Sequence, residues 1–456
     1  MCCMSILIVS LDSTIVNIAL PAIHRSLGAS FSTLQWTVDA YTLVLASLLI
    51  LSGSTADRVG RRKIFQVGLC LFSLGSLLCA LAPSAGMLVA ARVLQAIGGS
   101  MLNPVAMSII RNVFEDPRER AQAIGLWAGV VGISMALGPL LGGALVDGPG
   151  WRWVFLVNVP IGLLAIALTA LFVPESRAAR PRRPDPVGQV LVFAMLFCLT
   201  YAIIEAPQAG WGSPEIVALL LVALAALATF VPYELRRREP LIEPRFFRSA
   251  PFAGATGIAV CAFMTLGGFL FMTTLYLQGS RGLSPLEAGV YTLPMALAWF
   301  LLGPVSGRMV GRFGARPSLL IGGVATTAGA LMLTPITAQT EPTYLFAAYG
   351  VLGLGLAMVN PPITNAAVSG MPSDQAGVAS AIASTSRLVG VTLGVAVCGA
   401  IAGGAATGAL GVGFAEATHS AWWLLAGLGL VILATGAVTT SAWAKATATR
   451  TRQLVA

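Results

Sequence analysis

The segment 53–62 reads GSTADRVGRR, and the segment 307–316 reads GRMVGRFGAR. Each is a short basic turn that follows one apolar run and precedes the next. The two segments lie 254 positions apart. A turn that recurs in this way indicates a duplicated helical unit more than a generic loop.

A second pair of motifs repeats with nearly the same offset. Gly98 with Asn103–Pro104 aligns, 257 positions on, with Gly355 and Asn360–Pro361. Two motifs at nearly one offset predict two six-helix units, and such parallel repeats place substrate sites near the bilayer midplane. The predicted domains are an N-terminal six-helix bundle at 1–173, two inserted transmembrane helices with basic flanks at 174–250, and a C-terminal six-helix bundle at 251–456.

The composition places the whole chain in a bilayer. Of 456 residues, 57% are hydrophobic and 10% are charged, whereas soluble domains carry about 25% charged residues. Each apolar run is about 20 residues long, which is the length a helix needs to cross a hydrocarbon core. The runs predict an all-α membrane protein with fourteen spans, at 4–26, 35–55, 64–83, 87–110, 121–145, 153–173, 187–207, 214–233, 251–276, 288–310, 317–338, 343–368, 379–404 and 420–443.

The basic residues predict the orientation of these spans. Most of the 27 lysines and arginines fall in alternate loops and in the C-terminal tail, as the positive-inside rule requires. We therefore expect a multi-pass protein of the bacterial plasma membrane with both termini cytoplasmic. The net charge of +9 then needs no nucleic-acid partner. The arginine-rich runs at 177–183 and 236–238 are either solvated loops or contacts for anionic membrane lipid.

The segment 53–62 is expected to act as a conformational switch. Gly53 and Gly60 permit close helix approach and a tight turn. Asp57 can pair with an arginine such as Arg58 or Arg61, or face a helix N-terminus, in one conformation and lose that contact in another. A generic basic loop is the alternative, and the second copy at 307–316 argues against it.

Four motifs carry a resemblance to one transporter family. The segment 53–62 resembles the cytoplasmic loop signature of the major facilitator superfamily. LDSTIVNIALP at 11–21 resembles the first-helix motif of its fourteen-span drug:proton antiporter branch, and RVLQAIG at 92–98 resembles the fourth-helix motif, with Ala96 where glycine is usual. Gly125, Ser134 and GPLLGG at 138–143 resemble the fifth-helix antiporter motif, with Ser134 in a glycine position.

The resemblance implies both a fold and a function. The fold would be two six-helix bundles related by a pseudo-two-fold axis, with two extra helices between them. The function would be proton-coupled drug or antibiotic export by alternating access, in which the first-helix acid and the fourth-helix arginine, here Asp12 and Arg92, serve proton coupling. The fifth-helix motif favours export over uptake, and its residues here are Gly125, Gly138, Pro139, Gly142 and Gly143. These glycines also predict a thin helix that packs closely, and Pro139 bends it.

Elementary electrostatics supports a functional Asp12. A carboxylate within a bilayer costs about 2.5–3.5 kcal/mol on insertion scales, so Asp12 should face a cavity. There a proton and a cationic substrate could compete for one negative charge, which is the minimal coupling device of an antiporter. A structural, hydrogen-bonding acid is the alternative.

Asp39 and Arg92 are predicted to form a switchable ion pair. At 1.5 Å per residue, Asp39 lies roughly 6 Å and Arg92 roughly 8 Å from the outer ends of their spans, and Asp12 roughly 12 Å from the inner end. Depth therefore matches Arg92 better to Asp39 than to Asp12, which leaves Asp12 as the central site. The competing interpretation is that Asp39 is hydrated at the mouth of the cavity.

Other polar residues at membrane depth complete the predicted substrate cavity. Arg387 in span 13 either belongs to it or is an arginine that snorkels or contacts a carbonyl group. Span 10 contains no acid, so the second half offers fewer proton sites and divalent cations are poor substrates. The predicted cavity residues are Asp12, Asn17, Trp36, Tyr41, Gln95, Asn158, Asn360 and Arg387.

We expect a monomeric antiporter that uses inward proton flow to expel small amphipathic, cationic molecules. The alternatives are a dedicated exporter, or a facilitator or symporter, of one specific metabolite. An enzyme would need an acid cluster, a nucleophile with a base or a metal set at membrane depth, and the deeply placed acids are Asp12 and Asp39 alone. Two histidines, cysteines without CxxC spacing and the lack of a Gly-rich nucleotide loop predict no metal, no cofactor and no ATP drive.

Overall fold

Helices make up the architecture of this protein. The computed structural model describes residues 1–456 except 115, 179–183, 238, 370–375, 406–412 and 456. Within that part of the chain, fourteen helices are long and apolar enough to cross a membrane, which confirms the predicted number of spans. Large apolar side chains such as Leu171 and Leu126 are 76% and 67% exposed on the helix surfaces, as expected for residues that face lipid.

The helices follow one another along the chain with short connections. The first group comprises α1 (Cys2–Leu27), α2 (Phe31–Val59), α3 (Arg61–Leu81), α4 (Ala85–Val113), α5 (Pro117–Asp147), α6 (Trp153–Leu156) and α7 (Asn158–Phe172). Next come α8 (Pro186–Ala209) and α9 (Pro214–Arg236). The last group comprises α10 (Ala250–Leu275), which continues as a π-helical turn (Tyr276–Ser280), α11 (Pro285–Phe313), α12 (Ala315–Leu333), α13 (Pro342–Ser369), α14 (Ala376–Ala405), α15 (Phe414–Ala417), α16 (His419–Thr439) and α17 (Ala442–Val455).

Two spans end at least four residues earlier than predicted, each for a local reason. Helix α12 ends at Leu333, short of residue 338, because Pro335 cannot continue an α-helix. Helix α16 ends at Thr439, short of residue 443. There the hydroxyl of Thr440 donates to the carbonyl of Gly436 at 2.7 Å and competes with the backbone hydrogen bonds. The expected C-terminal tail instead forms helix α17.

The repeated motifs occupy equivalent packing positions. Gly98 on α4 lies against the backbone of Phe72 on α3, and Gly355 on α13 lies against the backbone of Thr326 on α12. Neither glycine leaves room for a methyl group. Helix pairs also match: α1–α5, α3–α4 and α3–α7 pack in the first group, as α10–α14, α12–α13 and α12–α16 do in the second. The duplicated six-helix unit predicted from the motifs is present in the structure.

The chain divides into two compact units. The first comprises Met1–Phe193 and Ser284–Val290, and the second comprises Ala194–Leu283 and Tyr291–Ala456. The domain boundaries near 173 and 250 stay a prediction. Of the arginine-rich runs, residues 179–183 and 238 lie outside the described residues.

Candidate functional site: a buried charge network

Asp12 on α1 is the centre of a polar network inside the first unit. Its side chain is 0% exposed. Arg92 on α4 donates from Nη1 to Oδ2 of Asp12 at 2.5 Å, and Gln95 on the same helix donates from Nε2 to Oδ1 at 2.8 Å. Asn158 on α7 donates to the same Oδ1 at 3.3 Å. Donors from two helices therefore converge on the acid that the sequence singled out.

A break in the sixth span brings Asn158 to Asp12, and a second hydrogen bond holds Gln95 in place. Pro160 has no N–H to bond to the carbonyl of Leu156, so the sixth span breaks between α6 and α7. Asn158 is the first residue after the break and projects into the network. Gln95 is fixed on its other side because Nε2 also donates to Oγ of Ser76 at 2.9 Å.

The guanidinium of Arg92 is enclosed as completely as the carboxylate it binds. Besides Asp12, Nη1 reaches Oε1 of Gln95 at 2.6 Å, and Nε donates to the carbonyl of Thr37 at 3.0 Å. The guanidinium carbon lies 4.2 Å from the centre of the Tyr41 ring, within range of a cation–π contact. A buried ion pair is tolerated when its remaining hydrogen-bonding groups are satisfied in this way. Loss of either partner would leave an uncompensated charge.

The predicted switchable Asp39–Arg92 ion pair is not formed in this conformation, because Arg92 pairs with Asp12, and it stays a prediction for another conformation. Depth along a helix gives only the position of each Cα, whereas the long stem of an arginine carries its charge away from its own Cα. Asp39 is 0% exposed, so the alternative of a hydrated mouth is wrong. Both carboxylate oxygens of Asp39 lack a hydrogen-bond partner among the residues described. The hydroxyl of Thr42 donates to the carbonyls of Val38 and Asp39, each at 3.4 Å.

The remaining predicted cavity residues of the first unit take different positions. Tyr41 contributes its ring to the Arg92 site, as described above. Asn17 is buried, but its amide donates to the carbonyl of Ser13 within its own helix at 3.1 Å. Trp36 is half-buried on α2.

Asn360 and Arg387 belong to the second unit. Arg387 on α14 donates from Nη2 to Oγ1 of Thr364 on α13 at 2.5 Å. Asn360 lies one turn before Thr364, and its Oδ1 is buried without a described partner. Of the cavity residues predicted from the sequence, Tyr41, Gln95 and Asn158 thus lie around Asp12 and Arg92, and Asn360 lies near Thr364, the partner of Arg387.

The predicted switch segment contains an ion pair and a capped helix. Arg61 pairs with Asp57 one turn earlier, with Nε and Nη2 each 2.9 Å from Oδ1. The backbone N–H groups of Arg62 and Lys63 donate to the carboxylate of Glu175 at 3.1 and 3.3 Å. A carboxylate at this place satisfies free N–H groups and interacts favourably with the helix dipole.

Glu175, which follows α7, is a functional candidate that the sequence analysis missed. Backbone hydrogen bonds also join its segment to the switch, from Arg61 N–H to Ser176 and from Ala178 N–H to Asp57, at 2.9 and 3.0 Å. The available signal was a lone acid directly after a span and at the head of an arginine-rich run.

Gly53, Gly60 and Arg58 of the switch segment differ in their surroundings. Gly60 has a φ of 137°, a conformation that side chains rarely adopt, and a methyl group there would lie 2.7 Å from the Glu175 carboxylate. At Gly53 a methyl group would make an ordinary contact with Pro104 at 3.4 Å. Arg58 is exposed.

Helix α5 approaches α1 beside Asp12. Gly138 lies directly against the hydroxyl of Thr14, and a methyl group at Gly142 would come within 2.7 Å of Cγ1 of Ile15. Side chains larger than hydrogen would push the two helices apart. The predicted close packing of α5 therefore occurs next to the part of α1 that carries the buried acid.

The rest of the fifth-helix motif has other neighbours. A methyl group at Gly143 would lie 2.6 Å from Cα of Leu286 at the start of α11, and Gly289 of that helix lies against the carbonyl of Pro139. Gly125 has no neighbouring atom within 4 Å of an added methyl group. The prediction of close packing is thus confirmed over 138–143 and wrong at Gly125, which is exposed.

Comparison with known proteins finds matches along most of the chain. The sequence profile of the Major Facilitator Superfamily matches residues 2–395. The multidrug resistance protein Stp of Mycobacterium tuberculosis is 37% identical over 398 residues, which are 87% of this chain and 74% of Stp. The tetracenomycin C resistance and export protein of Streptomyces glaucescens is 39% identical over 398 residues, with the same two shares.

A solved structure shares the fold. It is a bacterial homologue of the human lysosomal transporter Spinster, crystallised in an inward-facing and unoccupied conformation. Its TM-score is 0.61 at 20% sequence identity, and the match covers 100% of this chain and 96% of that one.

Proposed function

The chain belongs to the Major Facilitator Superfamily, and we propose that it exports small amphipathic, cationic drugs or antibiotics across the plasma membrane in exchange for protons. Two relatives are named for multidrug resistance and for resistance with export, which supports export over uptake. The superfamily is one of transporters, so the proposal includes no enzyme activity.

The observation that carries the proton part is that the first unit buries two acids in opposite situations. Asp12 is bound to Arg92, while Asp39, on the adjacent helix α2, is equally buried without a described hydrogen-bond partner. An ionised carboxylate is so costly away from water that an unpaired one takes up a proton instead. We therefore assign the negative charge to Asp12 and the proton to Asp39 in this conformation.

Proton transfer would then move Arg92. A proton that binds Asp12 removes the charge that holds the guanidinium. A proton that leaves Asp39 creates a new negative charge two residues from Thr37, whose carbonyl already binds Nε of Arg92. In a second conformation Arg92 would exchange Asp12 for Asp39, as the depth of the two residues suggested. A cationic substrate would bind whichever acid Arg92 leaves, so proton and substrate compete for one charge.

Two contacts would pass this change to the rest of the first unit. Gly138 and Gly142 hold α5 against the part of α1 next to Asp12, so a shift of α1 must move α5. The cap that Glu175 forms on α3 can break and re-form, which is the property that alternating access requires of the switch segment.

A dedicated exporter of one product is the second candidate, because one relative is named for a single compound, tetracenomycin C. The same proton mechanism would serve it. In either case we propose a monomer, surrounded by lipid in a bacterial plasma membrane, with both termini cytoplasmic. The concentration of basic residues in alternate loops supports that orientation.

Inverted membrane vesicles, acidified inside by respiration, provide the test. Ethidium should cause saturable proton release from the wild-type vesicles, measured with a fluorescent dye that reports the pH gradient. Asp39→Asn should abolish the release because asparagine carries no titratable proton. Glu416→Gln, at an exposed acid on α15, is the control and should behave as the wild type. Ethidium transport that survives both a protonophore and Asp39→Asn would rule out the proton mechanism.

A further inference from the structure

Arg387 is a positive charge at membrane depth on α14, a helix that contains no acid. It lies eight residues into the span Ala379–Gly404, about 12 Å from its start at 1.5 Å per residue. Helices α10, α12, α13, α14 and α16 contain no aspartate or glutamate, and the acid of α11, Glu287, lies in its first turn. A charge at this depth is costly and is usually paired or functional. Helices α10, α13 and α16, which pack against α14, offer it no acid, and the short α15 carries only the exposed Glu416.

The contacts of Arg387 leave part of its guanidinium unused. Nη2 donates to Oγ1 of Thr364, whose hydroxyl faces the carbonyl of Asn360 at 3.5 Å. Nε is buried without a hydrogen-bond partner in the described part of the chain. Thr364 is exposed, and Arg387 is half-buried. The arginine side chain is therefore partly accessible, and its buried Nε is short of an acceptor.

Aromatic rings border this cluster. The guanidinium carbon lies 5.7 Å from the centre of the Phe263 ring, and that ring packs edge-on against Trp299 at 6.1 Å. Both rings are half-buried, so each keeps an accessible surface. A flat apolar group could pack on the rings while its charged end reaches Arg387.

The other intramembrane arginine shows which ligand such a guanidinium takes. Arg92 binds the carboxylate of Asp12, an amide oxygen and a backbone carbonyl, and these acceptors surround it. Arg387 has a hydroxyl and an aromatic face but no carboxylate. A carboxylate is the acceptor whose two oxygens match the donors of a guanidinium.

We propose that the cluster of Arg387, Thr364, Phe263 and Trp299 binds the carboxylate of an aromatic substrate. The substrate would supply the carboxylate that α10, α13 and α14, which carry Phe263, Thr364 and Arg387, do not contain. This inference rests on the proposed export function and extends its substrates beyond cations to aromatic acids and zwitterions. A simple inorganic anion would use the guanidinium but not the rings.

A matched pair of ligands tests the inference. Purified protein in lipid nanodiscs is titrated calorimetrically with 1-naphthylacetate and with 1-naphthylacetamide, which differ in charge but little in shape. We expect the acid to bind at least about tenfold more tightly, because hydrogen bonds to charged groups are the stronger ones. Sodium acetate, which has no ring, should compete only weakly. Equal binding of acid and amide, or full competition by acetate, would overturn the proposal.

Three variants test whether Arg387 causes the preference for the acid over the amide. Arg387→Gln should reduce the acid-to-amide ratio to about one, and Arg387→Lys should retain part of it. Arg450→Gln, at an exposed arginine of α17, should keep the wild-type ratio. If Arg387→Gln does not fold, the acid-to-amide ratios of the wild type and of Arg387→Lys still test the proposal, and a wild-type ratio of about one would refute it. A ratio unchanged in a folded Arg387→Gln protein would refute the role of the cluster. The wild-type protein could show no preference for the acid and still export ethidium in exchange for protons. In that case this inference would be refuted and the proposed export function would stand.

Discussion

Replacement of Asp12 by asparagine should destabilise the protein far more than the same replacement at Asp39. Asp12→Asn leaves the guanidinium of Arg92, which is 1% exposed, without its counter-charge. It also replaces one acceptor oxygen by an NH₂ donor. Arg92, Gln95 and Asn158 all donate to the oxygens of Asp12, so the new donor would face another donor. Loss of one partner of a buried ion pair costs about 3–5 kcal/mol, so the equilibrium constant of unfolding should rise roughly one hundred- to several thousand-fold.

Asp39→Asn is the matched control on the adjacent helix. Here a neutral amide replaces a carboxyl group of the same size that has no described partner to lose. We expect the free energy of unfolding to change by about 1 kcal/mol or less. Proton release by ethidium should nevertheless disappear in both variants.

The assay is equilibrium unfolding of the purified proteins in detergent micelles with increasing dodecyl sulfate, followed by tryptophan fluorescence. The double variant Asp12→Asn/Arg92→Gln should recover much of the stability, because neither charge is then left alone. Equal losses for Asp12→Asn and Asp39→Asn, or no recovery in the double variant, would refute the assignment of Asp12 as the partner that neutralises Arg92.

Four further substitutions probe the packing of α5 and the switch segment. Gly138→Ala should cost about 1–3 kcal/mol and reduce export, because its methyl group would overlap the hydroxyl of Thr14. Gly125→Ala, with open space around it, should leave thermal stability and efflux unchanged. Glu175→Gln removes a charge at the start of α3, and we expect a loss of about 0.3–1 kcal/mol that shrinks as salt is added; a loss independent of salt would contradict the dipole argument. Gly60→Ala should lower the melting temperature more than Glu175→Gln does, since it adds a side chain at φ 137° and 2.7 Å from a carboxylate, and a stability equal to wild type would show that the turn adapts.

Several features were predictable because they depend on neighbours along the chain. The number of spans follows from the length of apolar runs, and the duplicated unit follows from the spacing of short motifs. The glycine turns at Gly60 and Gly314 are of this kind, since both adopt positive φ between consecutive helices. The ends of α12 and α16 were misplaced because hydropathy alone does not register Pro335 or the hydroxyl of Thr440.

The partners of the buried charges were not predictable in the same way. Depth along each helix suggested Asp39 for Arg92, yet a guanidinium on a long stem reaches acids at several depths. Glu175 is 113 positions from the backbone N–H of Arg62 that it caps, and no local pattern marks that pairing. Close packing was expected along α5, but only the neighbouring helix distinguishes Gly138 from Gly125.

By itself, the sequence determined a fourteen-span, twofold-repeated membrane protein with acids and arginines at membrane depth, because apolar length, charge and repeat spacing are properties of a linear chain. The tertiary structure alone decided that Arg92 is neutralised by Asp12, that Asp39 is enclosed without a described partner, and that Arg387 faces rings and a hydroxyl without an acid. Ion pairs and hydrogen bonds act over a few ångströms between helices, and only the packed arrangement sets those distances.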